Sequence, residues 1–280
     1  MSTAFKFENE IVQRSERAKS VEFHLTQPWI LVSLHSGTVY IWNYQSQTTE
    51  KTFKVAESPV RSAKFIPSKG WVIVGSDDAF IRVYDYGMME KIKEFQAHKD
   101  YIRWLCVHPV LPYVLSASDD SVIKLWDWEK DWMCTQTFEG HSHYVMRIWN
   151  VHSSAPKVTL DGHEKGLNFV DYFSRDDVLY LLSGSDDYTA KVWDDKGRSC
   201  IQTLEGHEHN VTAVCAHPEL PIVITGSEDE TLRMWDANGF GLKHVVKFGH
   251  GRIWDIAYQK GSHRVAVACD EGIAVVEIVC

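Results

Sequence analysis

An aromatic side chain closes a short apolar run at intervals of 42 residues through most of the chain. The closing positions are Trp42, Tyr84, Trp126, Trp193 and Trp235, with Val276 in a worn last copy. An Asp stands six residues before most of them, at Asp78, Asp120, Asp187, Asp229 and Asp270, and Ser36 takes this place in the first copy. A fixed period of about 40 residues, made of strand-length runs, restricts the chain to a repeat architecture.

A histidine also recurs upstream of most copies, at His98, His141, His163, His207 and His250. In a four-stranded antiparallel blade, the Asp of the tight turn can bond this His, and the His can bond a strand Ser or Thr and reach the Trp. A period near 42 with a Trp-Asp or Trp-Asn closure is typical of WD40 β-propellers. We therefore predict an all-β WD40 β-propeller that forms a single domain over residues 1–280.

The fourth copy is too short for a complete blade. His141 and His163 are 22 residues apart, whereas the other complete intervals are 43 or 44 residues. About 21 residues are missing, which is the length of two strands with their turns. We predict six complete blades and a vestigial one at 141–162, from a seven-blade ancestor; a seven-blade ring with one damaged blade is the alternative. The run from Phe5 to Val12 should close the fold by adding the outer strand to the last blade.

Composition excludes several classes of function. The net charge of −9 argues against broad nucleic-acid binding, which requires a basic face. The 14 histidines follow the repeat rather than a ligand spacing, so we expect neither a metal nor a cofactor. No secretory signal and no long apolar run are present, which predicts a cytoplasmic protein. Cys106, Cys215 and Cys269 are interpreted as reduced packing residues.

Residues at equivalent repeat positions should form rings on one face of a propeller. The position of Arg103 holds Lys19 and Arg61 in the two preceding blades, and Arg17 and Tyr101 stand two residues earlier in their blades. The tight-turn column places His35, Asp77 and Asp119 beside them, and Asp100 precedes Tyr101. Such a face suits a peptide whose carboxylate is held by the Arg and Lys side chains and whose ammonium groups meet Asp100 and Asp119. The alternative is that Arg103 simply pairs with Asp119 or Asp120 as a solvated surface charge.

Several segments go beyond what the repeat requires. They are Arg14-Ser-Glu-Arg-Ala-Lys-Ser-Val, Pro28-Trp-Ile-Leu, Ser58-Pro-Val-Arg-Ser-Ala-Lys-Phe, Asp100-Tyr-Ile-Arg, Ile123-Lys-Leu-Trp-Asp-Trp, Gly140-His-Ser-His-Tyr-Val-Met and Leu204-Glu-Gly-His. They resemble the N-terminal propeller of the coatomer beta-prime subunit family, most closely its plant-type members. The resemblance implies binding of C-terminal dilysine retrieval signals on cargo tails, with Arg17, Lys19 and Arg61 on the carboxylate and Asp100 and Asp119 on the lysines.

Tyr101 and Arg103 lie in the same matched segment, and His35 replaces the Tyr of the family's Leu-Tyr-Ser-Gly, as in the related alpha subunit. The resemblance further implies a non-enzymatic module of the COPI coat, which acts in Golgi-to-ER and intra-Golgi transport. Its partners would be cargo tails and other coatomer subunits such as alpha, and it would be peripheral on Golgi membranes and vesicles. The alternatives are a generic WD40 scaffold that uses another surface, or a truncated fragment with impaired function.

Overall fold

A computed structural model describes residues 6–140, 146–149, 156–175 and 178–279. These residues form 26 strands, numbered β1 to β26 in chain order, and one 3-10 turn at Trp128–Lys130. The strands divide into six four-stranded sheets and one two-stranded sheet within the described ranges. We number the sheets as blades by repeat, so that the number four belongs to the short sheet. No helix among the described residues is long and apolar enough to cross a membrane.

The chain divides into two compact units, and the first consists of 16–142 and 148–157. It holds blades 1 to 3, each with its strands in sequence order. Blade 1 contains β2 (Ala18–Phe23), β3 (Trp29–Leu34), β4 (Thr38–Asn43) and β5 (Thr48–Lys54). Blade 2 contains β6 (Val60–Ile66), β7 (Trp71–Ser76), β8 (Phe80–Asp85) and β9 (Glu90–Gln96). Blade 3 contains β10 (Ile102–Val107), β11 (Tyr113–Ser118), β12 (Ile123–Asp127) and β13 (Met133–Phe138).

The second unit consists of 1–15, 143–147 and 158–280, and it holds the last three blades. Blade 5 contains β16 (Leu167–Arg175), β17 (Val178–Ser185), β18 (Ala190–Asp194) and β19 (Ser199–Leu204). Blade 6 contains β20 (Val211–Ala216), β21 (Ile222–Ser227), β22 (Thr231–Asp236) and β23 (Leu242–Lys247). Blade 7 contains β24 (Ile253–Tyr258), β25 (Arg264–Cys269), β26 (Gly272–Val279) and, as its outer strand, β1 (Lys6–Arg14).

The short sheet pairs β14 (Met146–Trp149) with β15 (Pro156–Leu160). Six complete blades and a two-stranded remnant of the fourth repeat are therefore confirmed. The pairing of β1 with β26 confirms that the N-terminal strand completes the last blade. His141, predicted to begin the fourth repeat, lies outside the described residues. The single domain over 1–280 stays a prediction.

Neighbouring blades within a unit pack face to face. Ile41 of blade 1 and Val74 of blade 2 belong to one buried cluster, and Ile81 of blade 2 and Leu105 of blade 3 belong to the next. Each such side chain contributes about 1.5–3 kcal/mol when fully buried. Side-chain to backbone bonds fix the blade spacing, because the amide of Leu105 donates to a Ser hydroxyl of the preceding blade at 3.1 Å.

The predicted His–Asp network is confirmed in blades 3, 5 and 6. In blade 3, His98 Nδ1 lies 2.9 Å from Asp120 and His98 Nε2 lies 2.6 Å from Ser116 Oγ. The indole of Trp126 donates to the same hydroxyl at 2.8 Å. Burial lowers the pKa of His98, so the ring is neutral at pH 7. The bonds of this network give a partner to both ring nitrogens, to the Ser116 hydroxyl and to the Trp126 indole. Equivalent networks join His163 to Asp187 and His207 to Asp229.

The network prediction was wrong for blade 7 and does not extend to blade 2. In blade 7, Asp270 accepts from the Arg252 guanidinium and from the Trp254 indole, both at 2.9 Å. The reason is that Asp270 takes the turn position of Asp119, since its amide donates to the carbonyl of Arg252 at 3.2 Å, and that the closing position lacks a Trp. In blade 2, where no His precedes the turn, Arg82 supplies the partner of the turn Asp at 2.7 Å.

The packing role predicted for three cysteines holds for Cys215 and Cys269, which are buried, but not for Cys106, which is exposed. All five described cysteines are free. Cys106 occupies the strand position of Glu22, whose carboxylate accepts the Phe65 amide of the next blade. Blade 3 is followed in sequence by the shortened repeat, which has no full blade to cover this position.

Candidate functional site

The first strand of each blade carries a β-bulge at its entrance, and this bulge aims one side chain toward the turns. Pairing runs from Ala18 to Ser20 without Lys19, and equivalent shifts leave out Arg61 in blade 2 and Arg103 in blade 3. A bulged residue bends the strand and re-aims its own side chain. The three predicted cations therefore take the same direction for the same local reason.

The tight turn of each blade is bonded to the chain just before the bulge. The amide of His35 donates to the carbonyl of Arg17 at 2.9 Å, and the amide of Asp119 donates to that of Tyr101 at 3.0 Å. Asp77 makes the equivalent 2.9 Å bond in blade 2. The columns inferred from the repeat are therefore confirmed as structural equivalents in the first three blades.

His35 marks the basic part of this surface. The residue is exposed as a whole, but partial burial lowers its pKa, and the charges of Arg17, Lys19 and Arg61 lower it further, while Asp77 opposes the shift. Three cations from two blades therefore act on one imidazole, which is neutral at pH 7. The structure brings together the residues predicted to hold a carboxylate.

Two of the cations already form bidentate ion pairs. Arg61 Nε and Nη2 donate to Asp77 at 2.5 and 2.8 Å, and Arg103 Nε and Nη2 donate to Asp119 at 2.7 and 2.5 Å. The first pair is largely buried, with 18% of the Arg61 side chain and 8% of the Asp77 side chain exposed. The second is open to water, with 49% and 32% exposed. The pairing of Arg103 with Asp119 is the one that the alternative interpretation of the sequence anticipated.

Tyr101 lies between the two pairs. Its ring centroid is 5.7 Å from the Arg61 guanidinium carbon and 6.0 Å from that of Arg103, and 44% of the residue is exposed. Its own amide donates to the carboxylate of Asp100 at 2.8 Å. The bond to Asp119 raises the pKa of Arg103, and the charges of Asp77 and Asp100 add to the effect. The acids and cations therefore form one continuous surface.

We call this surface the charged face. It lies entirely within the first unit and consists of Arg17, Lys19, His35, Arg61, Asp77, Asp100, Tyr101, Arg103 and Asp119. The structure brings together all eight residues predicted for the site, and it adds Asp77. The repeat column contained the signal for Asp77, but only the coordinates show that this carboxylate binds Arg61. Cations at one end and acids at the other can bind an anionic and a cationic group of one ligand.

The same columns differ in the second unit. Asn168 Nδ2 donates to Asp186 at 2.7 Å, and Asn210 Nδ2 donates to Glu228 at 3.3 Å. Asn168 takes the bulge position of Arg61 and Arg103, whereas in blade 6 Thr212 takes it and donates to the Ile253 carbonyl at 2.6 Å. In blades 5 to 7 the bulge position carries no cation, although Arg252, two residues before it in blade 7, pairs with Asp270 at 2.9 Å.

Two grooves are lined by residues that do not belong to the charged face. One of about 510 Å³ is on blade 3 and is lined by Cys106, Leu111, Leu115 and Leu125 among others. The other, of about 440 Å³, lies in the second unit beside Asp171, His217 and Tyr258. Within the part of the chain that the structure describes, no three His, Cys, Asp or Glu side chains converge as metal ligands.

Comparison with known proteins identifies the family. The WD domain, G-beta repeat family matches residues 47–85, 89–127, 154–194 and 198–236, which is more than half of the chain. The chain therefore belongs to the WD-repeat family, in agreement with its six four-stranded blades. The indicated relationship to coatomer subunits beta′ is confirmed as well, because such subunits from plants and mammals align with nearly the whole chain.

Coatomer subunit beta′-1 of Arabidopsis thaliana is 60% identical over 299 residues, which cover 99% of this chain and 32% of that protein. Coatomer subunit beta′-2 of Oryza sativa subsp. japonica is 54% identical, and coatomer subunit beta′ of Rattus norvegicus is 45% identical; each alignment covers 99% of this chain and 33% of the relative. The chain spans about a third of the length of these relatives. The alignments are longer than the 280-residue chain, which agrees with residues missing from its fourth repeat.

Proposed function

We propose that the chain is a non-enzymatic module of the COPI vesicle coat that binds C-terminal dilysine signals on the cytosolic tails of membrane cargo. It would act in Golgi-to-ER and intra-Golgi retrieval. The observation that carries the proposal is the charged face, where Arg17, Lys19 and Arg61 surround one imidazole and Asp100 and Asp119 follow on the next blade. A free carboxylate fits the first group, and lysine ammonium groups fit the second.

The relatives' name, coatomer subunit beta′, supports the choice of coat. It also supports other coatomer subunits, such as alpha, as partners and a peripheral location on Golgi membranes and vesicles from the cytoplasmic side. The net charge of −9 supports the expectation that nucleic acid is not a partner.

The test is a titration of a labelled peptide that ends in Lys-Lys-x-x with a free carboxylate, alongside its amidated twin. We expect the acid to bind at least about tenfold more tightly, because each lost charge-assisted bond costs about 1.5–3 kcal/mol. Added salt should weaken binding, because salt screens the attraction between exposed charges. Equal affinity for the two peptides, or no binding of either, would contradict the proposed function.

A matched pair of variants localises the contact. Lys19→Gln removes one cation of the charged face and should lower the affinity for the peptide with a free carboxylate. Lys93 lies on the outer strand of blade 2, and its Nζ pairs with Asp131 at 2.6 Å. Lys93→Gln removes this cation and should leave the affinity for the peptide unchanged. Similar effects of both variants would indicate a response to net charge rather than a local site.

A generic WD40 scaffold is the second candidate, and the exposed apolar groove on blade 3 favours it. Its lining includes Leu111 and Leu115, whose apolar side chains a partner protein would cover. This function predicts that a coat partner stays bound when Arg17 and Lys19 are both replaced by Gln. Loss of that partner with the two cations would favour the charged face instead.

A further inference from the structure

The carboxylate of Asp119 is already occupied in the charged face. Arg103 donates from Nε and Nη2, at 2.7 and 2.5 Å, and so uses both carboxylate oxygens. If a lysine of a bound tail is to form its best ion pair with Asp119, it must compete with this guanidinium. The acid end of the surface is therefore not an empty receptor but an ion pair that a ligand would rearrange.

Exposure separates this pair from its neighbour in blade 2. Half of the Arg103 side chain and a third of the Asp119 side chain are exposed, whereas the Arg61–Asp77 pair is largely buried. Opening an exposed pair costs little, because water solvates both charges. Opening the buried pair would leave a desolvated charge without a partner. Arg103 is thus the cation of the two that can leave its carboxylate.

The surroundings of Arg103 offer the guanidinium another place. The residue sits at the β-bulge of β10, outside the regular ladder, so that its side chain can turn without breaking strand pairing. The negative charge of Asp100 attracts the Arg103 guanidinium, and the Tyr101 ring lies 6.0 Å from the guanidinium carbon. A displaced Arg103 therefore keeps an acid and an aromatic ring as neighbours.

We infer that Arg103 is the resident counter-ion of Asp119, that a lysine ammonium of the tail replaces it on binding, and that it thereby sets how strongly the charged face selects lysine. This inference rests on the proposed function. Removal of the competitor should strengthen the contact with lysine and leave the contact with the tail carboxylate unchanged. The direction is opposite to that expected if Arg103 itself held the tail.

The experiment compares the Lys-Lys-x-x acid peptide with an Ala-Ala-x-x acid peptide on the full chain and its variants. Arg103→Gln keeps a polar side chain but removes the charge, and it should bind the lysine peptide about two- to fivefold more tightly, the range of an exposed ion pair. Its affinity for the alanine peptide should not rise. Lys93→Gln, which removes one charge elsewhere, should change neither affinity.

A double variant tests the mechanism. In Arg103→Gln/Asp119→Asn the gain should vanish, so that this protein binds the lysine peptide no better than Asp119→Asn alone. Weaker or unchanged binding of the lysine peptide by Arg103→Gln would overturn the inference, and so would a gain that survives in the double variant. If the unaltered chain fails to distinguish the acid peptide from its amide, the proposed function fails and this inference with it. If it does distinguish them and Arg103→Gln brings no gain, only the inference fails.

Discussion

Arg61 links fold stability and recognition through one ion pair, so its replacement alone mixes two effects. The Asp77 side chain is 8% exposed and accepts two bonds from Arg61. Arg61→Gln would leave this carboxylate without its counter-ion, and Arg61→Glu would place a second acid beside it. Removal of one partner of a buried pair costs about 3–5 kcal/mol. Because Arg61 keeps some contact with water, we expect the single variant to lose about 3 kcal/mol.

The double variant Arg61→Gln/Asp77→Asn separates the effects. An amide pair restores uncharged hydrogen bonds, so we expect a stability loss below about 1 kcal/mol. The charged face still loses one cation for the tail carboxylate, which is worth about 1.5–3 kcal/mol for a charge-assisted bond. The simultaneous loss of the Asp77 charge offsets part of this, which gives about tenfold weaker binding.

Thermal unfolding followed by circular dichroism, together with peptide titration, measures both quantities. The single variant should melt about 5–10 °C lower, and the double variant within about 3 °C of the unaltered chain. Equal melting temperatures for the two variants would show that the pair does not shield a buried charge. Unchanged peptide affinity in the double variant would show that Arg61 does not contact the tail.

Two further predictions concern His35 and the blade 6 network. The pKa of His35 is lowered by burial and by its cationic neighbours, so the ring is neutral at pH 7; protonation adds a cation, and tail affinity should rise up to about fivefold from about pH 7.5 to 5.5. The lowered pKa also means that the stability due to neutral His35 is present above about pH 6.5 and is lost as the pH falls through the folded-state pKa. His35→Gln should flatten the dependence of peptide affinity on pH, and an unchanged dependence would contradict the role of His35. The Trp235 indole donates to Thr225 Oγ1 at 3.0 Å, and His207 Nε2 bonds the same hydroxyl. Thr225→Val removes this partner of both rings, so we expect the free energy of unfolding in urea to fall by about 2–4 kcal/mol. Thr203→Val, on a partly exposed outer strand, should cost less than about 0.5 kcal/mol, and equal losses would refute the role of the network.

The sequence was sufficient for the blades and for the position of the charged face because both follow from the repeat period. A period of 42 residues places the bulge and the turn of every complete blade in register, so Lys19, Arg61 and Arg103 could be aligned without coordinates. The wrong expectation for His250 arose in blade 7, where Asp270 takes the turn position of Asp119 instead of that of Asp120. Periodicity therefore predicts backbone position well as long as the spacing is kept.

Side-chain pairing could not be predicted in the same way. The charges of Asp77, Asp100 and Asp119 all act on Arg103, and rotamer and burial decide which of these acids it binds. Arg61 selects the buried Asp77, and Arg103 selects Asp119, whereas Asp100 receives the amide of Tyr101. The exposure of Cys106 escaped prediction for another reason, since burial of a strand position depends on the following blade rather than on its own run of residues.

The shortened fourth repeat and the charged face are separable within the first unit. Every residue of the charged face belongs to blades 1 to 3, and buried clusters join blade 1 to blade 2 and blade 2 to blade 3. Cys106 and Leu111 of blade 3 are exposed, whereas the residue equivalent to Cys106 in blade 1, Glu22, contacts the next blade. The groove on blade 3 and Arg103 belong to the same blade but depend on different contacts. Arg103 is held by Asp119, which lies in the turn of its own blade. A truncation in the fourth repeat therefore removes apolar packing from blade 3 without removing any side chain or ion pair of the charged face.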